Sequence, residues 1–142
     1  MRKDLIILGS TGSIGASTLN IVRKDKKNFN IRLLTTYKNV RKLYNQAVEF
    51  KVREVVIFKK NDYLKFSQKF KNKKIKVFFN LKDVFIKKKS RVYLTINAIS
   101  GINGLEPTLD IIKYSENIAI ANKESIICGW NLIQKELAKN KS

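Results

Sequence analysis

Residues 5–22 read LIILGSTGSIGASTLNIV. Four apolar residues, Leu5 to Leu8, run into a knot of small ones, and apolar positions return at Ile14, Leu19, Ile21 and Val22. The first run has the continuous apolar character of a strand buried on both faces. The spacing after the knot predicts a helix over 13–23. Between them Gly9, Gly12 and Gly15 make G-x-x-G-x-x-G. Glycines there let the chain turn sharply off the strand, let a pyrophosphate approach the main chain, and let the helix pack close to the sheet. The N–H groups at the helix start then face the anion. Ser10, Thr11 and Ser13 add hydroxyls. The competing reading is a strand–helix turn whose small residues serve packing only.

The same alternation continues along the chain. Strands are predicted over 4–8, 29–36, 54–58, 75–79, 91–97 and 118–121. Helices are predicted over 13–23, 40–50, from Asn61 or Asp62 to about Phe70, 105–114 and 124–139, with a short one over 81–86 cut off by the lysines at 87–89. Asn39 is the expected N-cap of the second helix, and Pro107 falls in a first turn, where its missing N–H costs nothing. This order implies an α/β fold, a doubly wound, mostly parallel sheet of Rossmann-like NAD(P)-binding type. No linker or repeat divides residues 1–142, which read as one such domain. The end, ELAKNKS, is a helix running into a polar tail, compatible with a domain end or with a truncated chain.

The residues after the second strand bear on the nucleotide. A site for NAD places an Asp or Glu there, against the ribose 2′-hydroxyl. Here residues 33–40 read LLTTYKNV, without a carboxylate. Thr35, Thr36, Lys38 and Asn39 stand there instead, with Arg41 just beyond, and a cation with amide donors suits the 2′-phosphate of NADPH.

Charge is the most extreme bulk property. Thirty basic residues face 11 acidic ones, a net charge of +19 without any His. Such a balance suggests nucleic acid or a membrane surface. The excess is mostly Lys, however, spread over 24–27, 59–60, 69–76 and 87–89, and it accompanies abundant Asn, Ile, Phe and Tyr. These residues share A/T-rich codons, so a biased genome accounts for the mixture. No repeated basic–aromatic platform, RNP signature or zinc-finger spacing appears, so neither specific nucleic acid nor membrane is expected as a partner. The apolar runs are too short to cross a bilayer, and the N-terminus lacks a secretory apolar region, which predicts a cytoplasmic protein. Cys128 is the only cysteine. With no His to activate it, it reads as a small core residue.

Two later segments are more distinctive: GINGLEPTLDII at 101–112 and IAIANKESIICGW at 118–130. The second puts Asn122, Lys123, Glu124 and Ser125 where a parallel strand ends and a helix begins, the edge at which such sheets bind ligands. A plain N-cap by Asn122 is the alternative. Together with ILGSTGSIGASTLNIV and KNV, these segments resemble the N-terminal NADPH-binding domain of the 1-deoxy-D-xylulose 5-phosphate reductoisomerases of the non-mevalonate isoprenoid pathway. The resemblance implies that Thr11, Gly12, Ser13 and Ile14 hold the cofactor diphosphate and nearby sugar. It implies that Tyr37, Lys38 and Asn39 meet the adenosine ribose phosphate, that Asn122 and Glu124 contact NADPH, and that Lys123 meets the sugar-phosphate substrate. Tyr37 departs from the glycine that family members often carry there, and a positive φ would strain it. The segment at 81–90 is short beside the family pattern.

The family reaction isomerises 1-deoxy-D-xylulose 5-phosphate and reduces it to 2-C-methyl-D-erythritol 4-phosphate, with NADPH, a divalent metal (Mg or Mn) and a homodimeric enzyme. The metal ligands lie in a VDSEHSA-like segment that these 142 residues do not contain, and Glu49 with Glu54, or Asp62 with Asp83, show no ligand spacing. No catalytic or metal-binding residue is therefore assigned in this chain. The expectation is the cofactor portion of a reductoisomerase, inactive alone, without the catalytic and C-terminal domains. Two alternatives stand beside it: a stand-alone NADP-dependent oxidoreductase, which would need a Tyr-x-x-x-Lys or His proton donor not visible here, and a basic nucleic-acid-binding module without enzymatic activity.

Overall fold

The apolar run at the N-terminus becomes the innermost strand. A computed structural model of the chain describes residues 1–86 and 90–141; the lysines at 87–89, expected to end the short helix, lie outside the described residues. Six strands form one sheet: β1 (Lys3–Leu8), β2 (Phe29–Thr36), β3 (Glu54–Ile57), β4 (Lys76–Phe78), β5 (Val92–Asn97) and β6 (Ser115–Ile120). Their order is β4-β3-β2-β1-β5-β6, and every pairing is parallel. The helices are α1 (Ser13–Lys24), α2 (Val40–Glu49), α3 (Lys60–Lys71), α4 (Leu81–Phe85), α5 (Leu105–Ile111) and α6 (Lys123–Asn140). A turn of 3-10 helix precedes α5 at Ile102–Gly104, and another follows it at Ile112–Tyr114.

β1 lies inside the sheet with helices packed on both faces, so Leu5 to Leu8 are buried whichever way they point, which is why the run needs no polar alternation. Leu5 and Ile7 face a core with Leu19 and Val22 of α1, Leu43 and Ala47 of α2, and Phe70 of α3. Ile6 and Leu8 face a second core with Val84 and Phe85 of α4 and Ile111 of α5. β2 breaks strict alternation. Its register with β1 shifts between Leu5↔Ile31 and Ile6↔Leu33, so Arg32 is an extra residue in the ladder. The bulge carries Arg32 outward to Asp4 (Nη1 to Oδ2, 3.5 Å). Ile31 and Leu34 then enter the first core and Leu33 the second, which explains a pattern that simple period-two spacing does not.

Two expectations change. β6 starts at Ser115, three residues before the apolar run, because an edge strand tolerates the exposed Glu116 and Asn117. Ser115 is itself buried, with its hydroxyl 2.6 Å from that of Thr95. Cys128 is exposed rather than in the core. The inward face of α6 carries Ser125, Gly129 and Ile133, four residues apart, which turns position 128 outward.

Candidate functional site

The chain leaves β1 at Gly9 with φ +73°, and a Cβ there would lie 3.0 Å from the Ala98 backbone. Gly15, in the first turn of α1, is as constrained: a Cβ would meet Gly9 O at 2.4 Å and Ser10 Cα at 2.6 Å. Both glycines are therefore accounted for by protein packing. Gly12 is not. Its φ is −75°, and a Cβ would find only ordinary contact, with Gly9 O at 3.5 Å. Gly12 is the N-cap of α1, a position where Ser, Asp or Asn would normally accept from the first turn, yet no side chain among the described residues caps it. The start of α1 is thus left with neither a Cβ nor a capping oxygen.

The loop backbone is held from two sides. Gly9 N donates to Thr35 Oγ1 at 2.9 Å, and Ser10 N donates to Thr35 O at 3.0 Å. Thr11 and Thr36 share a hydrogen bond between their hydroxyls at 2.7 Å. From α2, Gln46 and Ser10 exchange two hydrogen bonds, and Lys42 Nζ donates to Thr11 O at 2.9 Å. Thr35 and Thr36, which follow one another at the end of β2, are buried and bonded to this loop.

The chain leaves the sheet to opposite sides after β1 and β5, and a cleft of about 700 Å³ opens at this edge. Gly9, Thr11 and Gly12 line it at the loop, Tyr37, Lys38 and Asn39 beyond β2. Its far wall was not anticipated. Phe58, Phe79 and Leu81 give it apolar surface, and Glu106 and Asp110, one turn apart on α5, give it carboxylates. Phe58, Phe79 and Leu81 carry no motif, and Glu106 and Asp110 lie in the GINGLEPTLDII segment without having been assigned a role; the ends of β3 and β4 and the course of α5 bring them together. Burial raises the Asp110 carboxyl above its usual range, partly opposed by Lys82 at 3.8 Å.

Of the expected residues, Ser13 and Ile14 are exposed in the first turn of α1. Tyr37 is not among the described residues with positive φ, so its backbone escapes the strain expected of it. Lys38 is exposed, and Asn39 caps α2, its Oδ1 accepting from Lys42 N at 3.2 Å. Asn122, Lys123 and Glu124 lie at the same sheet edge but beyond β5, at the junction of β6 and α6, and do not line the cleft. Asn122 Oδ1 caps α6 through Ser125 N at 2.9 Å. Its Nδ2 is buried with no hydrogen-bond partner among the described residues. It fits because Gly104 has no Cβ, which would come within 2.5 Å of it. Lys123 is exposed and Glu124 half-buried.

A model of the 1-deoxy-D-xylulose 5-phosphate reductoisomerase family matches residues 5–129. The chain belongs to this family. A reductoisomerase of Pelagibacter ubique is 49% identical over 142 residues, and one of Clostridium kluyveri is 35% identical. The matches cover 99% and 98% of this chain and 37% of each relative, so the chain spans well under half the length of the curated relatives it matches. Among solved structures, the reductoisomerase of Zymomonas mobilis in complex with NADPH aligns with TM-score 0.87 at 25% identity, covering 99% of this chain and 37% of that one. A second reductoisomerase, in complex with NADPH, fosmidomycin and magnesium, aligns at 0.86 with 32% identity, covering 97% of this chain and 34% of that one. The expected α/β architecture is thereby the family's, with all six strands parallel.

Proposed function

We propose that this chain is the NADPH-binding portion of a reductoisomerase that converts 1-deoxy-D-xylulose 5-phosphate to 2-C-methyl-D-erythritol 4-phosphate. The observation that carries the reading is Gly12: the fold does not require a glycine there, the residue lines the cleft, and it leaves the start of α1 open. A diphosphate placed against that backbone uses both the missing Cβ and the free end of the helix dipole. Thr11, Gly12, Ser13 and Ile14 would hold it. Tyr37, Lys38 and Asn39 would meet the adenosine ribose phosphate, where the charge of Lys38 suits a 2′-phosphate. Asn122 and Glu124 would contact the cofactor farther along the edge, the unpartnered Asn122 Nδ2 being a donor in need of an acceptor. Lys123 would meet the substrate phosphate. NADPH, when bound, supplies the hydride for the reduction.

The residues present do not make a divalent-metal site. The sequence has no His, and no three Asp, Glu or Cys residues gather among the described ones. Homodimer formation and a soluble cytoplasmic setting are part of the proposal for the whole enzyme, and among the described residues no helix is long and apolar enough to cross a membrane.

Fluorescence titration of the 142-residue chain with NADPH and NADH tests the reading. Saturable binding of NADPH, with NADH weaker by about tenfold or more, is expected. At a hundred times its dissociation constant NADPH should stabilise the fold by about 2.7 kcal/mol, seen as a raised melting temperature. A folded chain that saturates with neither nucleotide overturns it.

A further inference from the structure

We propose that Gln46, on α2, is a positioning residue that holds the phosphate loop in its receptive shape; the role rests on the NADPH reading above. Gln46 is only 7% exposed and Ser10 is fully buried. The two side chains form a closed exchange. Gln46 Nε2 donates to Ser10 O at 2.9 Å, and Ser10 Oγ donates to Gln46 Oε1 at 2.8 Å. Both functions of the amide are thus used on one residue of the loop, which only an amide of this length satisfies. One turn earlier Lys42 Nζ holds the next carbonyl, Thr11 O, at 2.9 Å. Positions 42 and 46 are four apart and share a face of α2.

Two consecutive loop carbonyls are therefore drawn toward α2. In a trans peptide the C=O and the following N–H point in opposite directions. Holding Ser10 O against Gln46 turns the Thr11 N–H away from α2, while the Gly12 N–H, behind the held Thr11 O, closes the loop on Gly9 O at 3.2 Å. Thr11 and Gly12 are the loop residues beside the uncapped start of α1 that line the cleft. Gln46 lines no part of that cleft and would touch no ligand there; it acts through the orientation of these peptides.

The test separates the two ends of the cofactor. Gln46→Leu keeps the volume and removes both hydrogen bonds. Its affinities for NADPH, which carries the diphosphate, and for adenosine 2′-monophosphate, which does not, are compared with those of the unsubstituted chain. The expected result is NADPH binding weakened by about tenfold with the monophosphate within about twofold. Equal weakening of both ligands, as a general loosening would cause, or unchanged NADPH affinity, overturns the role. Should Gln46→Leu fail to fold, Ser10→Ala removes the hydroxyl's bond to Gln46 Oε1 and its longer one to Thr35 O (3.3 Å), and leaves Gln46 Nε2 on Ser10 O. It must then shift the ratio of the two affinities in the same direction, and an unchanged ratio overturns the role. If the unsubstituted chain binds the monophosphate and NADPH equally well, the loop contributes nothing and the role fails while 2′-phosphate recognition stands. If it binds neither, the cofactor reading itself falls and takes the role with it.

Discussion

Gly12 and Gly15 are three residues apart in one motif and are glycine for different reasons. Gly15→Ala would push a methyl into the Gly9 and Ser10 backbone at 2.4–2.8 Å, which cannot swing aside as a side chain would. It is expected to cost about 1–3 kcal/mol or more, measured by denaturant unfolding. Gly12→Ala meets only ordinary van der Waals contact, and as an N-cap change should cost less than about 1 kcal/mol. Its effect is expected in NADPH affinity instead, a loss of about tenfold or more with an almost unchanged unfolding midpoint. If both variants lose stability equally, the motif is a packing turn. The motif's spacing alone shows all three glycines as equivalent. What distinguishes them is the neighbour each would strike, and those neighbours come from the chain just past β5 and from the loop's own return.

Helix positions were readable wherever apolar spacing repeated, as in α1, α2 and α6, whose observed ends fall within a residue of those expected. The β2 bulge and the start of β6 were not. Both depend on the partner strand, which a period count does not contain. Helix ends show a related effect. Lys51, Lys74 and Lys141 adopt left-handed backbone, the last as the C-cap of α6, in a role usually filled by Gly or Asn. The C-terminal end of α6 is tied down by Arg91, just before β5. Its Nη1 donates to Asn140 O at 3.2 Å and its Nη2 to Ser115 O. Arg91→Met should free the last turn of α6 at a cost of about 1–2 kcal/mol, seen as faster amide exchange confined to that turn and the start of β6. Unchanged exchange there would show that apolar packing alone seats α6.

At the scale of the molecule, the net charge of +19 comes mostly from lysines spread over 24–27, 59–60, 69–76 and 87–89 of the sequence. Several lysines lie over aromatic rings on separate elements: Lys3 over Tyr93, Lys69 over Tyr44, Lys113 over Tyr114. The cleft, by contrast, carries Glu106 and Asp110 as well as Lys38. Binding to duplex DNA is therefore expected to be weak, indifferent to base sequence and abolished by moderate salt, because it rests on counterion release alone. A filter-binding titration of two unrelated duplexes across salt checks this; a strong preference for one duplex at physiological salt would contradict it.

By itself the sequence determined the order of strands and helices, the parallel sheet and the family, because buried strands and amphipathic helices leave local periods and the loop and ANKES segments are contiguous in the chain. It also singled out Lys38, Asn39 and Asn122, which stand at element ends where short-range spacing places them. Only the tertiary structure decided which glycine is spare, that Thr35 and Thr36 serve the loop, that Gln46 and Lys42 hold it, and that Glu106 and Asp110 form the far wall of the cleft. Those relations join residues that the sheet order brings together from distant parts of the chain, and no local pattern records them.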